Sequence, residues 1–302
     1  METILKWAAQ KWPTFLVIDN VDQLEDLDLQ EQIYIEAQAL AQRVGGAIQG
    51  SLDKAEAVVV AVPTERHFDV VRDCLERGLH VLVEKPIAAS LEQARALVSL
   101  AEKKRLVLQV GHVERYNSVF SALAGRMSRP LYIEAERLSG FKQRGADVDV
   151  VLDLMIHDLD LVLSLSKNAV SAVSACGFRV LTPDIDIANA RIEFADGCVA
   201  SLSASRVSQA PVRKLRVFQP ELYVSADLQA GKLRYVRRAD GAIDSKEEAH
   251  EKGDALALQA QAFVSSVLKN RKPEVSGDDG LRALDLALTV GRLVRERLER
   301  FG

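Results

Sequence analysis

Cysteine is scarce in this 302-residue chain, and Cys74, Cys176 and Cys198 lie far apart. Without a C-x-x-C pair, neither a zinc knuckle nor a redox dithiol of ordinary spacing is expected. An odd, sparse set suits a reducing compartment, so the expected location is the cytoplasm and the thiols are expected to be buried apolar groups. Long apolar runs are missing: none approaches the ~18 residues that span a bilayer. The beginning of the chain shows no basic segment followed by an apolar stretch, so no secretory signal is expected. Charge of one sign is also lacking, because the net charge of −4 offers no basic footprint for nucleic acid. Glycine does not occur before Gly45, and no internal repeat or low-complexity linker is visible.

What remains is ordinary globular material, 48% apolar and 27% charged. The length suggests two domains with a core that needs no disulfide or metal. Ala57-Val58-Val59-Val60-Ala61-Val62 is a short β-branched run of the kind buried in a parallel sheet. A helix with Gly78 as its stop follows over Glu65–Arg77, then a strand over His80–Val83. Ser90 and Gln93 open a helix to about Lys104, and a third strand covers Leu106–Val110. Strand and helix alternating at this pitch predict βαβ units, with Thr14–Asp19 a further credible strand.

Beyond about Val113 the pattern changes. Helices are predicted over Tyr116–Met127 and Val151–Leu165, with a strand near Leu131–Leu138 between them. Alternating runs follow at Val170–Leu181, Asn189–Phe194, Cys198–Val207, Arg213–Phe218 and Leu222–Leu228, which predict an antiparallel sheet with one open face. The polar stretch Arg237–Gly253 is expected to be a loop. Helices near Ala255–Lys269 and Gly280–Arg300 close the chain. The expected division is a Rossmann-like α/β domain over 1–113 and an α+β domain with a large, mostly antiparallel open sheet over 114–302.

Candidate chemistry gathers where strands end, because ligands of parallel α/β sheets bind beyond the strands' carboxyl ends. Pro63-Thr64-Glu65-Arg66-His67 opens a helix there and offers backbone N–H groups, although an ordinary turn capped by Thr64 would look the same. Glu84-Lys85-Pro86 puts an ammonium at the next strand end, with the proline confining Lys85 to extended backbone. Such a lysine can stabilise an alkoxide, or it can be a surface lysine beside a turn. Asp153 and His157 are four apart and share a helix face, so the carboxylate can fix the imidazole for general acid–base work on a hydroxyl. A satisfied core histidine is the plainer alternative. No further His or Cys falls at ligand spacing, and no metal site is expected. Gly111-His112-Val113-Glu114-Arg115-Tyr116-Asn117 joins the two halves with more polar groups than a linker needs. Arg206, Arg213 and Lys214 could face an anion or be solvated edge charge.

In this order and on these elements, the motifs resemble the Gfo/Idh/MocA family of NAD(P)-dependent oxidoreductases, from about Ala55 to the end of the chain. Glu84-Lys85-Pro86 matches that family's signature, and the resemblance implies that Lys85 meets the nicotinamide end and the reacting hydroxyl. Asp153 and His157 match its second catalytic element, with His157 as acid–base. The implied cofactor is NAD or NADP, with NAD favoured. Its expected contacts are Pro63, Thr64, His67, Glu84, Lys85, Pro86 and His112. The run Gly111–Asn117, the run Asp147–Asp153 and Ser205-Arg206-Val207 are similar to a branch that oxidises the 3-hydroxyl of UDP-N-acetylglucosamine. That similarity implies a sugar or nucleotide-sugar substrate, with Arg115, Tyr116, Asn117, Arg144 and Arg206 as substrate residues. Arg144, Arg206, Arg213 and Lys214 become candidates for the diphosphate. No nucleic-acid or membrane partner is implied. The open sheet face leads to the expectation of a homodimer or homotetramer.

The resemblance fails at one place. The family opens with a strand and G-x-G-x-x-G, whereas here Asn20-Val21-Asp22 follows the first strand and Asp22, Glu25, Asp26 and Asp28 crowd the next residues. Glycine gives that fingerprint its tight turn and its close approach to the pyrophosphate. Three accounts stay open: an altered N-terminal sequence on an intact family chain, a silent relative that binds a sugar nucleotide with a degenerate cofactor site, or an atypical first loop in which Asp19 replaces the acidic ribose contact.

Overall fold

The computed structural model describes residues 15–19, 56–141, 148–239, 241–251 and 253–301. They fall into two compact units, one running to His112 and taking in Leu256–Leu281, the other comprising Val113–Ala255 and Arg282 onward.

The first unit is built on β1 (Phe15–Asp19), β2 (Ala57–Ala61), β3 (His80–Glu84) and β4 (Leu108–Gly111), all parallel and in that spatial order. Val58, Val60, Val81 and Val83 are fully buried, as β-branched strands covered on both faces should be. Helix α1 (Thr64–Glu76) buries His67, Val71, Cys74 and Leu75, one stripe at helical spacing, and the chain leaves it through Gly78 at φ +85°. Helix α2 (Leu91–Lys104) is capped by Ser90, whose hydroxyl accepts the Gln93 N–H at 3.3 Å, and it buries Ala94, Leu97 and Ala101.

Residues 256–281 belong to this unit, not to the second half where the local pattern had placed them. Phe263 of α5 (Ala255–Leu268) packs fully buried on Ala57, Leu82 and Val107. The Gln109 side chain donates to Gln259 O at 3.1 Å, and the Val110 N–H donates to Val275 O at 3.0 Å. Helix α6 (Gly277–Phe301) starts so close to β4 that a methyl group at Gly280 would come within 2.5 Å of Val110. Helical periodicity marks a buried face but not the surface that covers it, which is why the return was not visible in the sequence.

The second unit holds an eight-stranded sheet in the order β12-β11-β10-β9-β5-β8-β7-β6. Its strands are β5 (Tyr132–Leu138), β6 (Val170–Phe178), β7 (Ile187–Phe194), β8 (Val199–Ser205), β9 (Val212–Gln219), β10 (Leu222–Asp227), β11 (Lys232–Ala239) and β12 (Ala242–Ala249). β5 and β8 run parallel, and every other neighbouring pair is antiparallel. Alternation buries Ile133, Ala135, Ala200, Leu202, Leu215 and Val217 on one face. The loop expected over Arg237–Gly253 is instead largely the β11–β12 hairpin, turned at Gly241 with φ +81°. This edge buries little apolar surface, so it lacks the usual strand signal. Cross-strand charge takes that place, with Lys232 3.4 Å from Glu247 and Arg237 3.3 Å from Asp244.

Two predicted helices are also remodelled. Tyr116–Met127 resolves into a 3-10 turn (Val113–Tyr116) and α3 (Ser118–Ala124), because Asn117 breaks the run and caps α3 by accepting the Val119 N–H at 3.0 Å. Val151–Leu165 begins as a π-helical turn (Val151–Met155) and continues as α4 (Ile156–Ser166). Asp149 starts that turn, its carboxylate accepting the Val151 and Leu152 N–H groups at 3.0 Å each.

Candidate functional site

In the first unit, Val62, Glu84 and Gly111 stand at or just past the carboxyl ends of three adjacent parallel strands. Pro63–Thr64, Lys85–Pro86 and His112 therefore share one edge of the sheet, where a dinucleotide is held in such folds. Pro63 occupies the cap position of α1 with no side-chain hydrogen bond, so the cap expected from Thr64 does not form and Thr64 is the first helical residue. Lys85 is half-buried, and its peptide bond to Pro86 is cis. The Lys85 N–H donates to Glu84 Oε2 at 3.4 Å. The Glu84 carboxylate lies over Gly111, where any Cβ would come within 2.7 Å of Oε2. Gly111 thus makes room for Glu84, a role its residue type permits and no side chain could fill.

His67 does not present its ring to a ligand. It is 1% exposed, with Nδ1 2.7 Å from Pro86 O and Nε2 2.8 Å from Val62 O. Burial pulls its pKa below the ordinary value, against the two carbonyls and Glu65, which pull it up. His112 is likewise buried.

In the second unit, Asp153 lies in the π-helical turn and His157 in the first turn of α4. Both keep partial exposure while Met155, Ile156, Asp158 and Leu159 are buried, so the pair occupies the helix's accessible side. Single π turns inside helices recur at functional sites. The helix is held by two arginine forks. Arg137 of β5 grips Asp158 through Nε and Nη2, each at 2.9 Å, and reaches Glu114 through Nη1 at 2.9 Å. Arg115 grips Asp160 through Nε at 2.7 Å and Nη2 at 3.2 Å. Burial pushes the Asp158 pKa up and Arg137 opposes it.

These contacts change the reading of the expected substrate residues. Arg115 is committed to Asp160. Tyr116 is buried, and Asn117 caps α3 while donating to Glu114 and Leu228 O. Arg206 is buried, donates to Val148 O and lies 3.8 Å from Asp186. Arg213 stays 54% exposed beside Glu114, but it and Lys214 are consecutive on β9 and point to opposite faces of the sheet. They cannot grip one diphosphate together. Arg144 lies outside the described residues, as does the segment from Asn20 to Ala55 that bears on the missing glycine fingerprint. Among the described residues, no group of three or more His, Cys, Asp or Glu is placed to hold a metal ion, and no helix is long and apolar enough to cross a membrane.

The sequence reading missed Arg137, Asp158, Asp160 and Asp186. Arg137 had a signal: it follows Ile133 and Ala135 at the core-facing parity of β5, where a charge demands a partner. Asp186 had none. Its buried carboxylate accepts the N–H groups of Val180, Leu181 and Thr182 and the Thr182 hydroxyl. Burial pushes this acid up, but those donors outweigh it and hold the pKa at about 2.

A parallel sheet with candidate residues at its carboxyl strand ends, followed in the chain by a unit built on a broad open sheet, is a Rossmann-like architecture of the dinucleotide-binding class. Residues 22–112 match the oxidoreductase family with an NAD-binding Rossmann fold, GFO_IDH_MocA, and residues 121–221 match the GFO/IDH/MocA C-terminal domain. A UDP-N-acetylglucosamine 3-dehydrogenase from Acidithiobacillus ferrooxidans is 37% identical over 262 residues, covering 84% of this chain and 83% of that protein. A solved structure of that A. ferrooxidans enzyme superposes with a TM-score of 0.82 at 32% identity, over 93% of this chain and 97% of the other. A scyllo-inositol dehydrogenase from Lactobacillus casei, solved with bound NAD(H) and scyllo-inositol, shares the fold alone, with a TM-score of 0.67 at 19% identity over 80% of this chain and 79% of the other. The chain belongs to the Gfo/Idh/MocA family of NAD(P)-binding oxidoreductases.

Proposed function

We propose that this chain is an NAD(P)-dependent dehydrogenase that oxidises the 3-hydroxyl of UDP-N-acetylglucosamine, with NAD the preferred cofactor. The 37% identity to a UDP-N-acetylglucosamine 3-dehydrogenase over most of both chains carries the substrate assignment. Bound nicotinamide supplies the hydride acceptor. His157 takes the hydroxyl proton, Asp153 holds the imidazole in the tautomer that can accept it, and the Lys85 ammonium stabilises the developing alkoxide. The α1 N-terminus at Pro63–Thr64, the turn Glu84–Pro86 and His112 are assigned to the cofactor side, with His67 acting from behind them. Exposed Arg213 is the assigned partner for substrate phosphate, while Arg115, Tyr116, Asn117 and Arg206 shape the second unit. The enzyme works in the cytoplasm as a homodimer or homotetramer that covers the open sheet face, a state light scattering reads directly.

Lys85→Ala and His157→Ala are expected to lower turnover of UDP-N-acetylglucosamine by about 10²–10⁴-fold, as loss of such groups usually does. Turnover within about threefold of the parent in both variants would overturn the roles assigned.

The absence of glycine from residues 1–44 favours a second reading, a silent sugar-nucleotide binder with a degenerate cofactor site. Calorimetry with NAD and NADP separates the two. Retained UDP-sugar binding without cofactor binding supports the silent reading, and tight NAD binding eliminates it.

A further inference from the structure

His67 lies between two strand-end turns of the first unit. Nδ1 is 2.7 Å from Pro86 O and Nε2 is 2.8 Å from Val62 O. Both partners are backbone carbonyls and can only accept. A neutral imidazole has one N–H and one lone pair, so it satisfies one carbonyl and turns a lone pair toward the other. The imidazolium has two N–H groups and satisfies both. Val62 leads into Pro63–Thr64 at the start of α1, and Pro86 follows Lys85 directly. His67 is buried and acts on Lys85 only through Pro86.

We propose that His67 is a positioning residue for Lys85: when charged, its ring donates to both turns and locks the Lys85–Pro86 turn to the Val62–Pro63 turn, and when neutral it lets one of them go. The part of this concerning Lys85 in turnover rests on the dehydrogenase reading above, whereas the clamp itself does not. Glu65 on the same helix favours the cation, Glu84 and Lys85 flank Pro86 on the second turn, and the β2 side from Ala57 to Thr64 brings no charged residue. Burial is the largest influence and pulls the ring below its ordinary value, so the clamp closes on the acid side of the usual histidine range.

The test is an acid titration of the full-length chain, labelled with nitrogen-15 and carbon-13, by NMR. The pyridine-type signal of the His67 ring is expected to vanish as pH falls. The carbonyl shifts of Val62 and Pro86 and the amide shifts of Lys85 and Ile87 should move with the same midpoint. In His67→Gln, which keeps one donor and cannot titrate, that shared transition should disappear. A ring that retains one pyridine-type nitrogen until the protein unfolds overturns the clamp, as does a transition felt at only one of the two carbonyls. For turnover, His67→Gln should lower kcat by roughly tenfold or more with KM little changed on the acid side of the histidine range, where the parent's clamp is closed, and should approach the parent above it, because small misplacements of a catalytic group carry penalties of that order. A folded His67→Gln with the parent's kcat and pH profile refutes the positioning role. If the NMR transition appears but the parent chain does not oxidise the sugar, the dehydrogenase reading has failed and the clamp has not.

Discussion

Replacing Arg137 with methionine probes what holds the His157 helix. The guanidinium makes two 2.9 Å bonds to Asp158 and one to Glu114, with all three side chains buried. Methionine fills much of the stem's volume, so the dominant loss is electrostatic. Glu114 keeps Asn117 at 3.2 Å and Arg213 at 3.4 Å, but Asp158 loses the fork that offset its burial. Breaking a buried pair by removing one partner costs about 3–5 kcal/mol. Burial already raises the Asp158 pKa, and without Arg137 it rises further. A carboxyl whose folded pKa is raised destabilises the fold above that pKa and ceases to do so once protonated, so the penalty should shrink as pH falls. Urea titrations followed by circular dichroism at about pH 7.5 and about pH 5.5 read this. With m near 1–3 kcal/mol/M, the second unit's midpoint should fall by at least about 1 M at the higher pH. Arg137→Met combined with Asp158→Leu should recover much of the loss, because replacing a whole buried pair with apolar groups is often neutral. A loss below about 1 kcal/mol at both pH values, against the ~3–5 expected, refutes the reasoning.

Gly177→Ala should cost about 1–3 kcal/mol, the usual penalty of forcing an atom into a packed core, since its Cβ would sit 2.7 Å from Ile187 O and 2.8 Å from Val294 Cγ1. Thermal melts of the variant check this, and an unchanged melting temperature contradicts it. His67 and His80 both titrate below their ordinary 6.5, in each case chiefly through burial, and His80 Nδ1 accepts the Val107 N–H at 2.8 Å. The unfolded chain therefore takes up these protons first, so stability should be flat above about 6.5 and should decline as pH falls through that value toward the folded pKa values. Asp186, at about 2 against 3.8, adds stability that is present above 3.8 and lost as pH falls toward about 2. Melting temperatures across a pH series give both windows, and a curve that is level from neutrality to about pH 5 goes against the histidine part.

The parts of the fold legible in the sequence were those in which burial writes a period. The β-branched run Ala57–Val62, the Ser90 cap and the alternation of β7 and β8 each leave a local trace. The β11–β12 hairpin left only charge pairs, and the return of residues 256–281 left nothing, because which surface a helix covers is not a local property. Among the candidate residues, Lys85 stands at a strand end and Asp153 and His157 keep partial exposure on one helical stretch, which is as much of their placement as spacing gives. The arginines misled. Arg115 and Arg206 read as cations for a ligand, but Asp160 and Asp186 take them, and a long-range ion pair has no signature in a single sequence. His67 was noticed for its place after a strand, yet its two acceptors, five and nineteen positions away, decide what it does.

The chain crosses between the two units at His112–Val113, near Ala255–Leu256, and within α6 at Leu281–Arg282. The two units are therefore interleaved along the chain, the first closing at Leu281 and the second taking in Arg282 onward. During synthesis, β2, β3 and β4 emerge early, while Phe263, which covers Ala57, Leu82 and Val107, arrives some 150 residues after the last of them. Until then that apolar surface is open, and nothing resembling a finished cofactor-binding unit can be released. The same order makes a fragment ending near residue 113 a poor reagent, since Ala57, Leu82 and Val107 would lack the cover of Phe263. In this chain the first unit waits for residues 256–281, and the second waits longer still, for Arg282 onward.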